Sequence, residues 1–459
     1  MIYSSLLFIY GFLPFSLLIY YITPRKRQPL VLLLLSALFC GLLSLRYLVF
    51  TAFFTLVNYC ACRGIGRFRG KSEAASVIFG AGVLFDIISL FMFRAEMFAA
   101  LRNGLLLPEN FFPIGISFMV LGAIGTLIDV YSGKFEAESN YAKLWLYFIF
   151  FPRLIMGPLL RYRSFCKVLD SRKTQLEEIG VGLTIFVKGL SKKVLAADTL
   201  YLLYEAVHGI ALKDMSALTA WMGALAYVLC LYFTLSGFSD MGTGAGYCFG
   251  LRMPQSFNYP LFSVRIRYFA ARWHIQVVQW MRRYITKPLS SHFRSNVLKR
   301  LIFIGVWGIF GFWYTFSING VIWGILTGAA ITAETLFIRG KVINMTGGVY
   351  TAFTVMIFGV FLSGSNIGYS LRYLLAMTGG GGGFADSFSL YLLKSYVVIL
   401  LVTMYASTDL FRNMMMRSGK NPVRTVVTAA SPVIVLALLI LCTGLMSYSG
   451  SSGMILMNI

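Results

Sequence analysis

Residues 217–250 have the sequence ALTAWMGALAYVLCLYFTLSGFSDMGTGAGYCFG. The first part of this stretch, 217–235, is apolar and contains no charged side chain, and a helix of about 20 such residues crosses the hydrocarbon core of a bilayer. The second part is rich in small residues, with Gly242, Gly246 and Gly250 at four-residue spacing. Because small residues let helices approach closely within lipid, we predict a membrane-spanning helix next to a tightly packed segment.

Apolar runs of similar length recur along the whole chain. Of the 459 residues, 58% are hydrophobic and 12% are charged, whereas soluble domains carry about 25% charged residues. This composition excludes a disordered chain, a fibrous repeat and an ordinary soluble globule. We predict an all-α polytopic membrane protein with about 10–12 crossings. The further predicted helices cover 3–23, 29–44, 47–62, 76–93, 112–131, 141–160, 177–198, 302–337 (as a broken helix), 348–364, 389–407 and 428–447.

The basic residues cluster at the ends of the apolar runs. Three basic residues at 25–27 follow the first run, a cluster between 63 and 71 follows the third, and a cluster between 412 and 424 precedes the last. Cytoplasmic loops of membrane proteins carry such an excess of Lys and Arg. We therefore predict that both termini are extracytoplasmic and that the number of crossings is even.

The segment 258–300 is basic, of moderate polarity, and contains no acidic residue. Tryptophan and tyrosine side chains are interleaved with nine basic ones: Arg265, Arg267, Arg272, Arg282, Arg283, Lys287, Arg294, Lys299 and Arg300. This pattern is typical of helices that lie at the membrane interface or enter it partway. It fits a membrane-surface anchor or an electropositive approach for an anionic substrate, such as a phosphate-bearing acyl carrier. The net charge of +23 does not indicate nucleic-acid binding, because no soluble basic domain would carry it.

Few residues are candidates for chemistry. The three histidines, His208, His274 and His292, include no pair at metal-ligand spacing, so we predict no metal site. His274 lies among aromatic residues and is either a packing residue or a catalytic base. Acidic residues within lipid are costly, so each is a functional candidate unless it lies near a helix end. The acids at predicted membrane depth are Asp86, Asp129, Asp198, Asp240 and Glu334.

Seven short blocks occur in a fixed order along the chain. They are FPIGISF (112–118), IDVY (128–131), FP with GPLLRY (151–162), GLSKK with AD (189–198), SGFSDM (236–241), FNYP (257–260) and RWHI (272–275). With these blocks the chain resembles the membrane-bound O-acyltransferases (MBOAT), closest to the bacterial type that acetylates alginate. The resemblance extends from the N-terminal helices to about residue 412.

The resemblance implies a ring of tilted transmembrane helices, with interfacial or re-entrant helices, around a central tunnel. It implies one membrane domain, 1–459, with N-terminal helices (1–75), a core (76–412) that contains the basic segment 258–300, and a C-terminal helix (413–459). Bacterial members pass an acyl group from a cytoplasmic thioester donor, acetyl-CoA or an acyl carrier protein, to an extracytoplasmic polysaccharide. The implied location is the bacterial cytoplasmic membrane. The implied partners are membrane lipids and extracytoplasmic acyltransferase or polysaccharide-assembly proteins, and no cofactor is bound permanently.

The chain departs from the family pattern where the family has its catalytic histidine. The family motif is tryptophan-histidine-glycine, and the equivalent residues here are Trp313, Tyr314 and Thr315. A tyrosine with a pKa of about 10 is a poor base at neutral pH. Further departures place Thr234 where the family has aspartate, Ala270 and Ala271 where it has an aromatic residue and arginine, and Arg283 where it has aspartate.

Three functions stay open from the sequence: a catalytically degenerate scaffold or regulatory subunit, an active O-acetyltransferase that uses His274, and a lipid or solute conduit. The departures favour the first. The predicted catalytic positions are His274 and Tyr314, the latter in place of the missing histidine. The predicted substrate or tunnel-lining residues are Trp273, Trp313, Ser236, Asp240, Asn258 and Arg272. The predicted donor-side basic residues are Arg153, Arg161, Arg282 and Arg283.

Overall fold

A computed structural model describes residues 3–69, 72–102, 115–172, 176–337, 347–410, 412–413 and 422–449. In these ranges the chain is helical, with turns between the helices and no strand. The start of the predicted span 112–131 lies outside the described residues, as do Arg417 and Lys420 of the basic cluster between 412 and 424.

The helices vary in length from a single turn to more than eight turns. In chain order they are α1 (Leu7–Ile22), α2 (Gln28–Leu43), α3 (Leu45–Arg67), α4 (Ser72–Arg102), α5 (Ile116–Tyr131), α6 (Tyr141–Ile149), α7 (Phe151–Leu154), α8 (Tyr162–Asp170), α9 (Leu176–Ser191), α10 (Asp198–His208), α11 (Ala217–Cys248), α12 (Ile266–Arg272), α13 (Ile275–Met281), α14 (Lys287–Ser291), α15 (Asn296–Thr315), α16 (Ile318–Phe337), α17 (Gly347–Ser363), α18 (Ile367–Met377), α19 (Ser387–Ala406) and α20 (Pro422–Ser449). The π-helical segments Lys192–Ala197 and Arg282–Thr286 join α9 to α10 and α13 to α14.

Within the described ranges, seven helices are long and apolar enough to cross a membrane: α3, α4, α11, α15, α16, α19 and α20. The helices α1, α2, α5 and α17 are shorter but also apolar. The prediction of an all-α, multi-pass membrane protein is therefore confirmed. The ring around a central tunnel stays a prediction.

Polar side chains at helix starts explain several of the boundaries. The side chains of Asn140, Ser295, Asn366 and Asp386 each accept a hydrogen bond from a backbone N–H in the first turn of the helix that follows. Such caps satisfy donors that have no partner within the helix. The predicted break in 302–337 is also confirmed, because Phe316 has a φ of 52° between α15 and α16.

Several predicted spans differ from the structure, and for two of them the sequence gives the physical reason. The run 141–160 is not one helix, since α6 ends at Ile149 and a short α7 and an extended stretch follow. Pro152 and Pro158 lack the N–H that a continuous helix needs. The helix predicted at 217–235 instead continues to Cys248, because the small residues after Ser236 are compatible with a helix that packs closely.

The chain divides into two compact units, of which the first contains 1–189 and 238–255. Its core is aromatic: the Phe12 and Phe151 rings meet edge to face with centroids 5.3 Å apart, and the Tyr20 hydroxyl donates to the carbonyl of Phe249 at 3.0 Å. A Cβ on Gly242 would overlap the carbonyl oxygen of Pro152. The close packing predicted from the glycine spacing is therefore present at Gly242.

The second unit contains 190–237 and 256–459. Its tightest contact joins α15 and α16, where backbone meets backbone at glycines. A Cβ on Gly311 would overlap the carbonyl of Gly320, and a Cβ on Gly324 would overlap that of Trp307. This hairpin fixes the position of the last turns of α15.

We expect the substitution Gly324→Ala to destabilise the protein by about 1–3 kcal/mol, because the added methyl group has no space against the α15 backbone. The matched control is Gly305→Ala on α15, where an added Cβ meets nothing within 4 Å and helix propensity favours alanine. Thermal melting of both variants in detergent, followed by size-exclusion chromatography, measures the difference. Equal melting temperatures for the two variants would contradict the close contact.

Candidate functional site

Two backbone hydrogen bonds hold the segment that contains His274. The Asn258 N–H donates to the carbonyl of Arg272 at 3.0 Å, and the Ile275 N–H donates to the carbonyl of Ser256 at 2.8 Å. Helix α12 ends at Arg272 and α13 begins at Ile275, so Trp273 and His274 lie in the break between them. The backbone of His274 is left-handed, with a φ of 42° and a ψ of 51°. The left-handed backbone at His274 changes the chain direction, so that α13 does not continue the axis of α12.

The His274 side chain is 4% exposed and lies between two aromatic rings. The ring centroids of Phe257 and Tyr314 are 4.7 Å and 5.9 Å from that of the imidazole, and Tyr314 meets it edge-on. Burial lowers the pKa of His274 to about 3, because an apolar environment disfavours the charged form. The imidazole is therefore neutral at physiological pH. As a base it is weak, since its protonated form would lose the proton readily.

Tyr314 lies near the end of α15 and is 2% exposed. Its ring stacks on Trp323 of α16, with centroids 5.7 Å apart and planes 27° apart, and it also contacts Phe310. The indole of Trp273 lies next to the Tyr314 hydroxyl, but the hydroxyl reaches hydrogen-bond geometry with no residue that the structure describes. A buried hydroxyl without a partner is costly, so this oxygen is available to a substrate.

Trp273 and Trp313 complete an aromatic cluster around these two side chains. Trp273 is buried, with Phe257 and Phe269 at centroid distances of 5.3 Å and 5.4 Å. The Trp313 ring stacks on Phe310 at 6.0 Å. We define the aromatic cluster as Phe257, Trp273, His274, Phe310, Trp313, Tyr314 and Trp323.

A buried carboxylate positions the helix that leads into the aromatic cluster. Glu334 on α16 is 2% exposed, and its two carboxylate oxygens accept hydrogen bonds from the N–H groups of Ile266 at 2.8 Å and Arg267 at 3.2 Å. These N–H groups start α12, where a negative charge is favourable. Glu334 thus caps the helix that carries Arg272.

Asn258 and Ser236 are predicted substrate residues with different surroundings. The Asn258 side-chain oxygen accepts a hydrogen bond from Nη1 of Arg412 at 2.7 Å, and the same guanidinium lies 5.1 Å from the ring centroid of Tyr259. Ser236 is fully buried on α11, and its hydroxyl has no hydrogen bond to the described part of the chain. Asn258 is therefore engaged by a cation, whereas the Ser236 hydroxyl is available.

The predicted donor-side arginines fall into two groups. Arg161, Arg282 and Arg283 are exposed. Arg153 is 2% exposed in the first unit, and its guanidinium lies 4.0 Å from the ring centroid of Tyr147. Neither Nη atom of Arg153 reaches hydrogen-bond geometry within the described ranges. A buried cation without a hydrogen-bonded anion is costly, so Arg153 is suited to an anionic group.

Two acids singled out in the sequence have structural partners. Asp86 on α4 accepts a hydrogen bond from the Asn58 side chain at 2.8 Å, and Asp198 pairs with the buried Lys193 at 2.7 Å. Asp240 is half-buried in the first unit. The second unit brings together Trp273, His274 and Tyr314, which the sequence predicts as site residues.

Comparison with known proteins identifies the family of this chain. The model of the membrane-bound O-acyltransferase family matches residues 116–361. A probable alginate O-acetylase of Pseudomonas fluorescens is 31% identical over 415 residues, which cover 90% of this chain and 82% of the relative. The chain belongs to the membrane-bound O-acyltransferase family. The family resemblance predicted from the seven sequence blocks is thus confirmed.

Two more distant MBOAT relatives also come from bacteria. A peptidoglycan O-acetyltransferase of Helicobacter pylori is 27% identical over 372 residues, with 73% of this chain and 70% of the relative covered. A teichoic acid D-alanyltransferase of Bacillus subtilis is 24% identical over 302 residues, with 62% and 74% covered. The chain is thus similar to MBOAT proteins that modify different envelope polymers.

The sequence does not predict the contacts that support the aromatic cluster. Glu334 was visible as an acid at membrane depth, but its partners are backbone N–H groups 67 and 68 residues earlier, and no side-chain pattern marks them. The hydrogen bond between Asn258 and Arg412 joins residues 154 positions apart, and no pattern in the sequence predicts it either.

We expect Glu334→Ala to destabilise this MBOAT protein by about 2–4 kcal/mol, because two buried N–H groups lose their acceptors. Glu334→Gln should cost less, since an amide oxygen still accepts one hydrogen bond but without the charge. The measurement is thermal melting in detergent, with Glu136→Ala, an exposed carboxylate, as the control. If Glu334→Ala and Glu136→Ala melt alike, Glu334 does not hold α12.

Proposed function

We propose that this protein is a non-catalytic or scaffold subunit of a system that O-acetylates an envelope or extracellular polysaccharide. It would act in the bacterial cytoplasmic membrane, with both termini on the extracytoplasmic side. The observation that carries the proposal is the tyrosine hydroxyl of Tyr314, which is buried next to His274 in the aromatic cluster; the sequence resemblance equates Tyr314 with the family's motif histidine.

The chemistry of the aromatic cluster explains why this observation matters. Acyl transfer to a hydroxyl needs a base that takes the hydroxyl proton, and its pKa should lie near the working pH. A tyrosine is protonated at neutral pH, so Tyr314 can donate a hydrogen bond to a thioester carbonyl but cannot act as that base. Burial lowers the pKa of His274 to about 3, far from neutral. The cluster is thus better suited to holding an acyl group than to transferring it.

The alternative is an active O-acetyltransferase that uses His274. Its support is the edge contact between His274 and Tyr314, which places a hydrogen-bond donor next to a neutral imidazole. In that case His274 would take the acceptor proton and Tyr314 would stabilise the developing oxyanion. The exclusion of water from the cluster would protect the thioester from hydrolysis.

For the acyl donor we propose acetyl-CoA or an acylated carrier protein, both of which carry phosphate. In the first unit, the exposed Arg161 would attract it electrostatically and the buried Arg153 would pair with an anionic group. In the second unit, the exposed Arg282 and Arg283 would contribute to the same electrostatic attraction. The proposed partners are membrane lipids, an extracytoplasmic acyltransferase and polysaccharide-assembly proteins. A scaffold would bring these partners together without performing the transfer itself.

An acetyl-transfer assay separates the two functions. We expect the purified protein in lipid nanodiscs to transfer no label from radiolabelled acetyl-CoA, even with membrane extract of its own cell, because the cluster lacks a base of suitable pKa. The assay compares the wild type with His274→Ala, Tyr314→His and the matched control Tyr314→Phe. A catalytically active family relative serves as the positive control.

Wild-type transfer that His274→Ala abolishes would contradict the scaffold proposal and establish the alternative. Transfer gained only in Tyr314→His would support the scaffold proposal, since that result means that the site is intact and that the base alone is missing.

The donor proposal has its own test at Arg153. We expect acetyl-CoA to raise the melting temperature of the wild type but not that of Arg153→Met, because ligand binding to the folded state stabilises it. Without the donor, Arg153→Met should be as stable as the wild type, since a buried cation is replaced by an apolar side chain of similar length. The control is Arg372→Met, which removes an exposed arginine and should retain the full shift. An equal shift in both variants would exclude Arg153 from donor binding.

A further inference from the structure

Two polar side chains meet between the apolar helices α3 and α4. Nδ2 of Asn58 donates to Oδ1 of Asp86 at 2.8 Å and to the carbonyl of Phe54 at 3.2 Å. Asp86 is 0% exposed and Asn58 is 2% exposed. Each lies near the middle of its apolar span, which covers Leu45–Arg67 in α3 and Glu73–Arg94 in α4. The contact is therefore at the depth of the hydrocarbon core.

We infer that Asp86 is a proton-binding site: its carboxyl group carries a proton at neutral pH and forms a reciprocal acid–amide pair with Asn58. Both residues belong to the first unit, whereas the aromatic cluster belongs to the second. The inference therefore goes beyond the proposed function and does not depend on it.

Two buried oxygens at this contact have no hydrogen-bond donor. They are Oδ2 of Asp86 and Oδ1 of Asn58, and neither reaches hydrogen-bond geometry with any residue that the structure describes. A buried polar atom without a partner is costly. An ionised Asp86 could not reduce this cost for Asn58, because a carboxylate accepts hydrogen bonds and donates none.

A single proton on Asp86 satisfies both oxygens. A carboxylic acid donates through one oxygen and accepts through the other, and an amide likewise has a donor nitrogen and an acceptor oxygen. With the proton on Oδ2, that oxygen can donate to Oδ1 of Asn58, while Oδ1 of Asp86 keeps the hydrogen bond from Nδ2. The two side chains then form two hydrogen bonds, and the pair has no net charge.

The helices around the pair are closely packed and apolar. A Cβ on Gly82, one turn before Asp86, would meet Cβ of Ala61 on α3 at 3.4 Å and Cδ1 of Leu127 on α5 at 3.1 Å. Such packing leaves little space for solvent beside the carboxyl group. The hydrogen bonds of Asp86 must therefore come from protein groups.

The outer faces of the same two helices are also apolar. Phe53 and Leu56 on α3 and Leu84 and Ile88 on α4 are exposed, as is typical of side chains that contact lipid. A charged side chain at this depth is costly. Protonation removes the charge of Asp86 and with it this cost.

A metal cation or a basic side chain explains the contact less well than a proton. Within the described ranges, no Lys or Arg forms an ion pair with Asp86. Arg94, two turns later on α4, donates to the Ser117 hydroxyl of α5 at 3.2 Å. Hard cations take about six or more oxygen ligands, and the pair offers two oxygens without a donor. The site is thus suited to the smallest cation.

Infrared spectroscopy of the full-length protein in lipid nanodiscs at neutral pH tests the charge state of Asp86. The carbonyl of a protonated carboxyl group absorbs at a higher frequency than a carboxylate does. We expect Asp86→Asn to remove a protonated-carboxyl band from the wild-type spectrum. The matched control is Asp214→Asn, which changes an exposed acid and should remove carboxylate absorption instead. If Asp86→Asn removes carboxylate absorption, or leaves the protonated-carboxyl region unchanged, the inference is wrong.

Thermal melting in the same nanodiscs gives a second test. Asp86→Asn should melt close to the wild type, because an amide replaces the acid with one donor and one acceptor. Asp86→Ala should lower the melting temperature by at least about 2 °C, since it leaves the buried Asn58 amide without its partner. If Asp86→Asn fails to fold, or melts as low as Asp86→Ala, the wild-type group is not a neutral acid and the inference is wrong. Neither measurement depends on acetyl transfer, so the inference and the proposed function can fail separately.

Discussion

The carboxylate of Glu334 is the constraint on which the candidate site depends. A charge placed within an apolar interior must be stabilised by hydrogen bonds or an opposite charge, and here the N–H groups of Ile266 and Arg267 supply two hydrogen bonds. The same contact determines where α12 begins, and therefore where it ends, at the break that contains Trp273 and His274. A residue on α16 thus positions a histidine sixty positions earlier in the chain, and the glycine contacts between α15 and α16 bring Tyr314 to the same place.

The resulting pair of side chains has an unusual chemical character for a member of an acyltransferase family. His274 and Tyr314 retain the geometry of a site, with rings in edge contact and water excluded. Neither has an acid–base character that matches proton removal at neutral pH. A phenol next to a neutral imidazole can still orient a carbonyl or an alcohol. If the proposed scaffold function is correct, this pair of side chains would recognise a ligand without turning it over.

Much of the fold follows from the sequence, because apolar runs and prolines act locally. The helices near 47–62 and 389–407 and the break after Thr315 lie where the patterns predict them. The prediction of one helix over 141–160 was wrong. Pro152 and Pro158 lack the N–H groups that a continuous helix needs, and hydropathy does not register their absence. The pairing of His274 with Tyr314 was accessible only through the family resemblance. The Glu334 cap and the hydrogen bond between Asn258 and Arg412 join residues 67 to 154 positions apart, and such contacts leave no periodic signal in a single sequence.

The left-handed backbone of His274 has a consequence for how this chain changes over time. A non-glycine residue carries a conformational cost in this region, which asparagine, aspartate and histidine bear more easily than other residues and of which glycine is free. Glycine at position 274 would remove that cost but would leave a cavity against the rings of Phe257 and Tyr314. A substitution at this position therefore exchanges backbone strain for lost packing, and a β-branched residue would suffer from both.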